Sequence, residues 1–274
     1  MGKRGQITVF IVLGIFLLMV GGALIFLSSG NSLQEEVGKP LEIEQSVNAF
    51  QGYIDSCAEQ KGKKVLVALG YYGGKDDFVG PYFDAELFDS NYLVFNNELR
   101  APSIAEIKRN GESLFDEGMK ECLSSFIVSS NMAEQQLNKD IISYDLVFDS
   151  LQIKEGELET EMILTNNEVS FEVHWPLEIG QKDFRREVSE FNAGPYPVRL
   201  EEVGVLVQNF TSQLAQNPYF IDPVYLLDYN LSYDVTIVSN DTYIVLITDN
   251  QSLINYEPLQ FLFAVKVNST EGLI

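Results

Sequence analysis

Basic residues are scarce in this chain: 18 lysines and arginines stand against 40 aspartates and glutamates, with one histidine, one tryptophan and two cysteines. Each shortage excludes something. A formal charge of −22 repels phosphate backbones and anionic surfaces at long range, and no basic cluster offsets it, so nucleic acid is excluded as a partner. Any Ser–His–Asp or Cys–His arrangement would rest on His174 alone, and its context, Val173-His174-Trp175-Pro176, reads as a structural strand position. Gly-x-Ser-x-Gly, His-Glu-x-x-His and a glycine-rich phosphate loop are all missing. Cys57 and Cys122 are far apart and have no partner histidines, which excludes a Cys/His zinc site. The expectation is a protein that is not an enzyme and carries no cofactor or metal.

What the chain does have is a marked beginning. Met1-Gly2-Lys3-Arg4-Gly5-Gln6 is followed by an apolar run, Ile7 to Leu27, without a charge. As a helix this run reaches about 31 Å, the thickness of a hydrocarbon core. It has no polar face to turn to water. Lys3 and Arg4 precede it, and the first charges beyond it are Glu35 and Glu36, so the N-terminus lies in the cytoplasm and the rest outside. The segment reads as a retained anchor, as a secretory signal cut near Ser28–Gly30, or as a leader cut after Gly5. Gly14, Gly21, Gly22 and Ala23 give it small surfaces on which another helix can pack.

Lys3-Arg4-Gly5-Gln6 running directly into the apolar segment resembles the class III, type IV pilin-like signal peptides of archaeal surface proteins. The resemblance covers about the first 27 residues. It implies cleavage between Gly5 and Gln6, and an uncut helix that packs against other copies or other pilin-like subunits. Many type IV pilins carry glutamate at the fifth mature position, where this chain has Phe10.

All 40 acidic residues follow Ser28. Cys57 and Cys122 fall in that same exterior part, where oxidising surroundings favour pairing. A bridge between them would contribute roughly 4 kcal/mol by loop-closure entropy. Both sit on the apolar stripes of expected helices, Leu41–Leu69 and Ile104–Phe126. The first ends at Gly70-Tyr71-Tyr72-Gly73-Gly74, read as a turn needing positive φ. The second starts at a capping box, Ser103 with Glu106. Between them Phe78–Phe83 and Tyr92–Phe95 read as strands.

Beyond Asp140 the period becomes two. Strands are expected at Ile141–Phe148, Glu157–Thr165 and Glu168–Trp175, with Asn166-Asn167 as a hairpin turn and Pro176 as a stop. A helix follows over Val198–Gln216, then strands over Leu226–Val238, Tyr243–Thr248 and Leu259–Val267, with a turn at Asn240-Asp241. Asp228 to Asp234 alternates oxygen-bearing side chains as a calcium loop does, but lacks its glycine and glutamate and reads as a strand. Five N-glycosylation sequons crowd this end, with acceptors Asn209, Asn230, Asn240, Asn250 and Asn268.

The expected architecture is α+β with mainly antiparallel sheet. A leader (1–5), a transmembrane or pilin-like helix (6–27) and a linker (28–39) precede a helix-rich part (40–135) and a sheet-rich part (136–274), which together could form one domain. The expected role is a membrane-anchored cell-surface structural or interaction protein, a pilin-like subunit in one version and a tethered binding module in another. An extracellular hydrolase ranks last.

Overall fold

The computed structural model describes residues 44–78, 80–84, 89–136, 152–181, 184–216 and 231–267, with the side chains of 128–136 and 181 outside that description. Lys3, Arg4, Gly5, Gln6, the apolar run, the linker and the expected strand Ile141–Phe148 lie outside the described residues. Among the described residues no helix is long and apolar enough to cross a membrane. The fold is α+β and mainly antiparallel, as expected.

Helix α1 covers 44–71 and buries Val47, Phe50, Ile54, Ala58, Leu66 and Leu69 along one stripe. It stops where Gly73 and Gly74 take φ of +66° and +84°, with the Gly74 N–H donating to the Leu69 carbonyl at 2.6 Å. Helix α2, Ile104–Gln136, starts at the expected capping box. The Ser103 N–H donates to Glu106 Oε2 at 2.7 Å and the Glu106 N–H to Ser103 Oγ at 3.2 Å. It runs well past the expected end near Phe126. Helix α3 is Leu200–Gln216.

The strands are β1 (Tyr82–Asp84), β2 (Asp89–Phe95), β3 (Glu98–Leu99), β4 (Gln152–Glu155), β5 (Glu159–Leu164), β6 (Val169–Gln181), β7 (Phe184–Tyr196), β8 (Ser232–Ile237), β9 (Thr242–Ile254) and β10 (Glu257–Lys266). One sheet has the order β1-β2-β10-β9-β8, with β3 also on β2. Its only parallel pair among the described strands is β2 with β10. In the other sheet β6 is central, with β7 along one edge and β4 and β5 sharing the other.

Two expectations need correction, and one strand was not expected. Of the expected strand Phe78–Phe83 only Tyr82 and Phe83 pair, within β1, and the chain before it bends at 75–77, where the Asn91 amide donates to the Tyr72 and Asp77 carbonyls. Pro176 does not end a strand: β6 passes through it. Pairing with β5 stops at His174 and pairing with β4 starts at Leu177, so the missing N–H of Pro176 falls in the gap, while its carbonyl accepts from Gly156 at 2.7 Å. Strand β7 has no counterpart in the sequence reading. The same irregularity makes Val173 face Phe191 and Leu177 face Val188, so the buried Val188 and Phe191 are three apart rather than two.

The helix-rich and sheet-rich parts share a sheet through β2 and β10, and they share a core. Phe50 and Leu66 of α1, Phe115 of α2, Phe171 and Trp175 of β6, Phe210 of α3 and Phe263 of β10 belong to one buried cluster. Phe115 and Phe171 stack at 4.4 Å between centroids, joining α2 to β6.

Candidate functional site

Helices α1 and α2 bring Cys57 and Cys122 to disulfide distance, with Cα atoms 6.2 Å apart. Small residues permit this approach. A Cβ on Gly118 would come within 2.9 Å of the Lys61 stem, and Lys61 in turn pairs with Glu121. The Tyr53 hydroxyl donates to the Cys122 carbonyl at 3.3 Å, and Phe50 meets Phe126 edge-on at 4.9 Å. The pair therefore ties the middle of α1 to the middle of α2.

A second constellation lies where β9 leaves its ladder. Leu253 faces Pro258, but the next pair is Asp249 with Leu259, so Asn250, Gln251 and Ser252 stand outside the pairing. Asp249 holds this bulge from beneath. Its carboxylate, 1% exposed, accepts from Arg199 Nε at 3.0 Å, from Arg199 Nη2, from the Ser252 hydroxyl and from the Gln251 N–H at 3.0 Å. The Arg199 N–H donates to Ser252 Oγ at 2.8 Å, tying the start of α3 to the bulge. Burial pushes the Asp249 carboxyl up, but the bonds from Arg199, Ser252 and Gln251 outweigh it and hold the group below the usual carboxylate range. No short-range pattern in the sequence marks Arg199 and Asp249, which stand far apart along the chain.

Three sequon acceptors are among the described residues, and all are exposed. Asn209 lies on α3, Asn240 in the turn between β8 and β9, and Asn250 on the bulge. Their hydroxyl residues are buried: Thr211 donates to the Val207 carbonyl, Thr242 lies beside Asp241, and Ser252 is held by Asp249. Asn230 and Asn268 lie outside the described residues.

A third feature is an apolar groove of about 520 Å³ between the end of α1 and the β9–β10 hairpin. Val67, Tyr71, Leu246, Ile254, Pro258 and Leu262 give it its apolar lining, and Glu257 and Gln260 also line it. Beside it Gly70 lets α1 close onto β10, since a Cβ there would stand 2.1 Å from the Gln260 carbonyl oxygen. Tyr71 is also in ring contact with Tyr72 and Phe78, and Phe78 with Tyr82. The hairpin tip, Asn255-Tyr256, has φ of +53° and +70° and leaves Tyr256 97% exposed.

His174 sits on β6, exposed, with Nδ1 2.7 Å from Glu190, its cross-strand neighbour on β7. Among the described residues no group of three or more His, Cys, Asp or Glu side chains could hold a metal ion. Asp234 is exposed on β8, between half-buried Tyr233 and Val235, an alternation that belongs to a strand. Comparison with protein-family models, with curated proteins and with solved structures finds no match to the chain.

Proposed function

We propose that the chain is a membrane-tethered cell-surface interaction protein. Ile7–Leu27 anchors it, Lys3 and Arg4 stay inside, and the head outside meets a partner's apolar side chains through the groove at the end of α1. The groove carries this reading. A hollow lined by Val67, Tyr71, Leu246 and Leu262, open beside an exposed hairpin tip, is an apolar surface on an otherwise strongly acidic molecule. The length of α1 supports it: a helix over 44–71 rises about 40 Å, with the anchor joining at one end and the groove at the other. The cysteine pair at disulfide distance suits an oxidising exterior.

Lys3-Arg4-Gly5-Gln6 favours a second version, in which the leader is removed and the helix assembles with other pilin-like subunits. Intact mass and N-terminal sequencing of the protein from its native membrane distinguish the two. A chain beginning at Gln6 makes it a filament or pseudopilus subunit; a chain beginning at Met1 or Gly2 makes it a permanent single-pass anchor. Both versions fail if protease added to intact cells leaves the head uncut while it digests a known surface protein.

A further inference from the structure

Strands β7 and β8, each at one edge of its sheet among the described residues, are protected differently. Strand β7 is thirteen residues long and carries Arg185, Arg186, Glu187 and Glu190, charges that discourage another strand from adding to it. Strand β8 ends its sheet among the described residues with one charge, Asp234, and with Ile237 71% and Val238 45% exposed. An edge of that kind is a template for strand addition. It is also bracketed by two exposed acceptor asparagines. Asn240 lies in the turn just past Val238, and the Asn250 amide donates to Ser232 Oγ at 3.4 Å, at the other end of β8.

We propose that N-linked oligosaccharides on Asn240 and Asn250 guard the β8 edge, and that they are transferred before β9 folds. This rests on the reading that the head lies outside the membrane. In the transfer, the carboxamide Nδ2 bonds to the anomeric carbon of an oligosaccharide carried on a lipid phosphate. The anomeric C–O bond breaks, the lipid phosphate leaves with the electron pair, and one amide proton passes to a base. The enzyme that does this reads the hydroxyl two residues on. In the folded head that hydroxyl is out of reach, since Ser252 is fully buried against Asp249 and Thr242 is 5% exposed. Transfer therefore belongs to the extended chain, and folding then locks both sugars at the ends of β8. A short six-residue edge, about 20 Å long, is within the sweep of two such chains.

The test uses the full chain, expressed in a host that glycosylates exported proteins and solubilised in one detergent. Glycopeptide mass spectrometry is expected to find sugar on Asn240 and Asn250. Light scattering is expected to show the double variant Asn240→Gln/Asn250→Gln self-associating at concentrations where the parent does not, and Ile237→Lys added to that variant to restore dispersion by putting a charge on the edge. Sugar on neither asparagine, in a head that external protease digests, overturns the proposal and leaves the tether reading standing. A head that protease cannot reach overturns both. A double variant as dispersed as the parent overturns the guarding role. Efficient transfer to the folded, sugar-free protein by added donor and transferase overturns the order of events.

Discussion

Asp249 shows how much one carboxylate carries here. It closes the β9 bulge, holds the start of α3 through Arg199, and buries the hydroxyl of a sequon. Asp249→Asn keeps the shape but leaves Arg199, with its side chain 12% exposed, facing a neutral amide. Breaking a buried pair from one side costs about 3–5 kcal/mol, so chemical denaturation at neutral pH is expected to show a loss of that order. The pH dependence follows from the lowered carboxyl. Its contribution is present above the ordinary aspartate value, about 3.9, and is lost as pH falls through the lower folded value. The gap between parent and variant should therefore close in strong acid and stay constant from pH 5 to 8. None of this was legible in the sequence. Asn250 announces itself through Ser252, but the ion pair beneath it joins residues that no local pattern connects.

At the scale of elements, α1 offers a paired test. Gly52 has open space around it, with nothing within 4 Å of an added Cβ, whereas a Cβ on Gly62 would stand 2.2 Å from the Tyr196 hydroxyl. That hydroxyl donates to the Glu59 carbonyl at 2.9 Å, and the Gly194 N–H donates to Glu59 Oε2 at 3.1 Å, so Gly62 lets β7 rest on the helix. Gly52→Ala is expected to raise stability by about 0.5–1 kcal/mol through helix propensity. Gly62→Ala gains the same propensity, but is expected to lower stability by about 1–3 kcal/mol because Tyr196 must move. Thermal melts of the two variants read opposite signs if the geometry holds. The helix itself was legible, since its buried residues recur every three or four positions. So were the capping box at Ser103 and the hairpin turns at Asn166-Asn167 and Asn240-Asp241. Strand β7 was not, because the two register shifts against β6 break the alternation by which a strand is recognised.

For the whole molecule the decisive cross-link is the one between α1 and α2. Cys57 and Cys122 lie 65 residues apart in sequence, and their bridge is expected to contribute up to about 4 kcal/mol. Denaturant midpoints of the oxidised protein and of Cys57→Ala/Cys122→Ala measure this directly, and equal midpoints would remove the cross-link from the account of stability. Residues 57 and 122 could be nominated as partners from their positions on two apolar helical stripes. What the sequence determined by itself was of this local kind: the presence of the helices, caps, turns, sequons and the apolar run Ile7–Leu27. Those depend on neighbours within a few residues, where periodicity and hydrogen-bonding partners are written in order. Tertiary structure alone decided the parallel pairing of β2 with β10, the groove beside Tyr71, the Arg199–Asp249 lock and the place of β8 at the edge of its sheet among the described residues. Each depends on which distant surfaces pack together, and that is settled by the shared burial of one core rather than by any short stretch of chain.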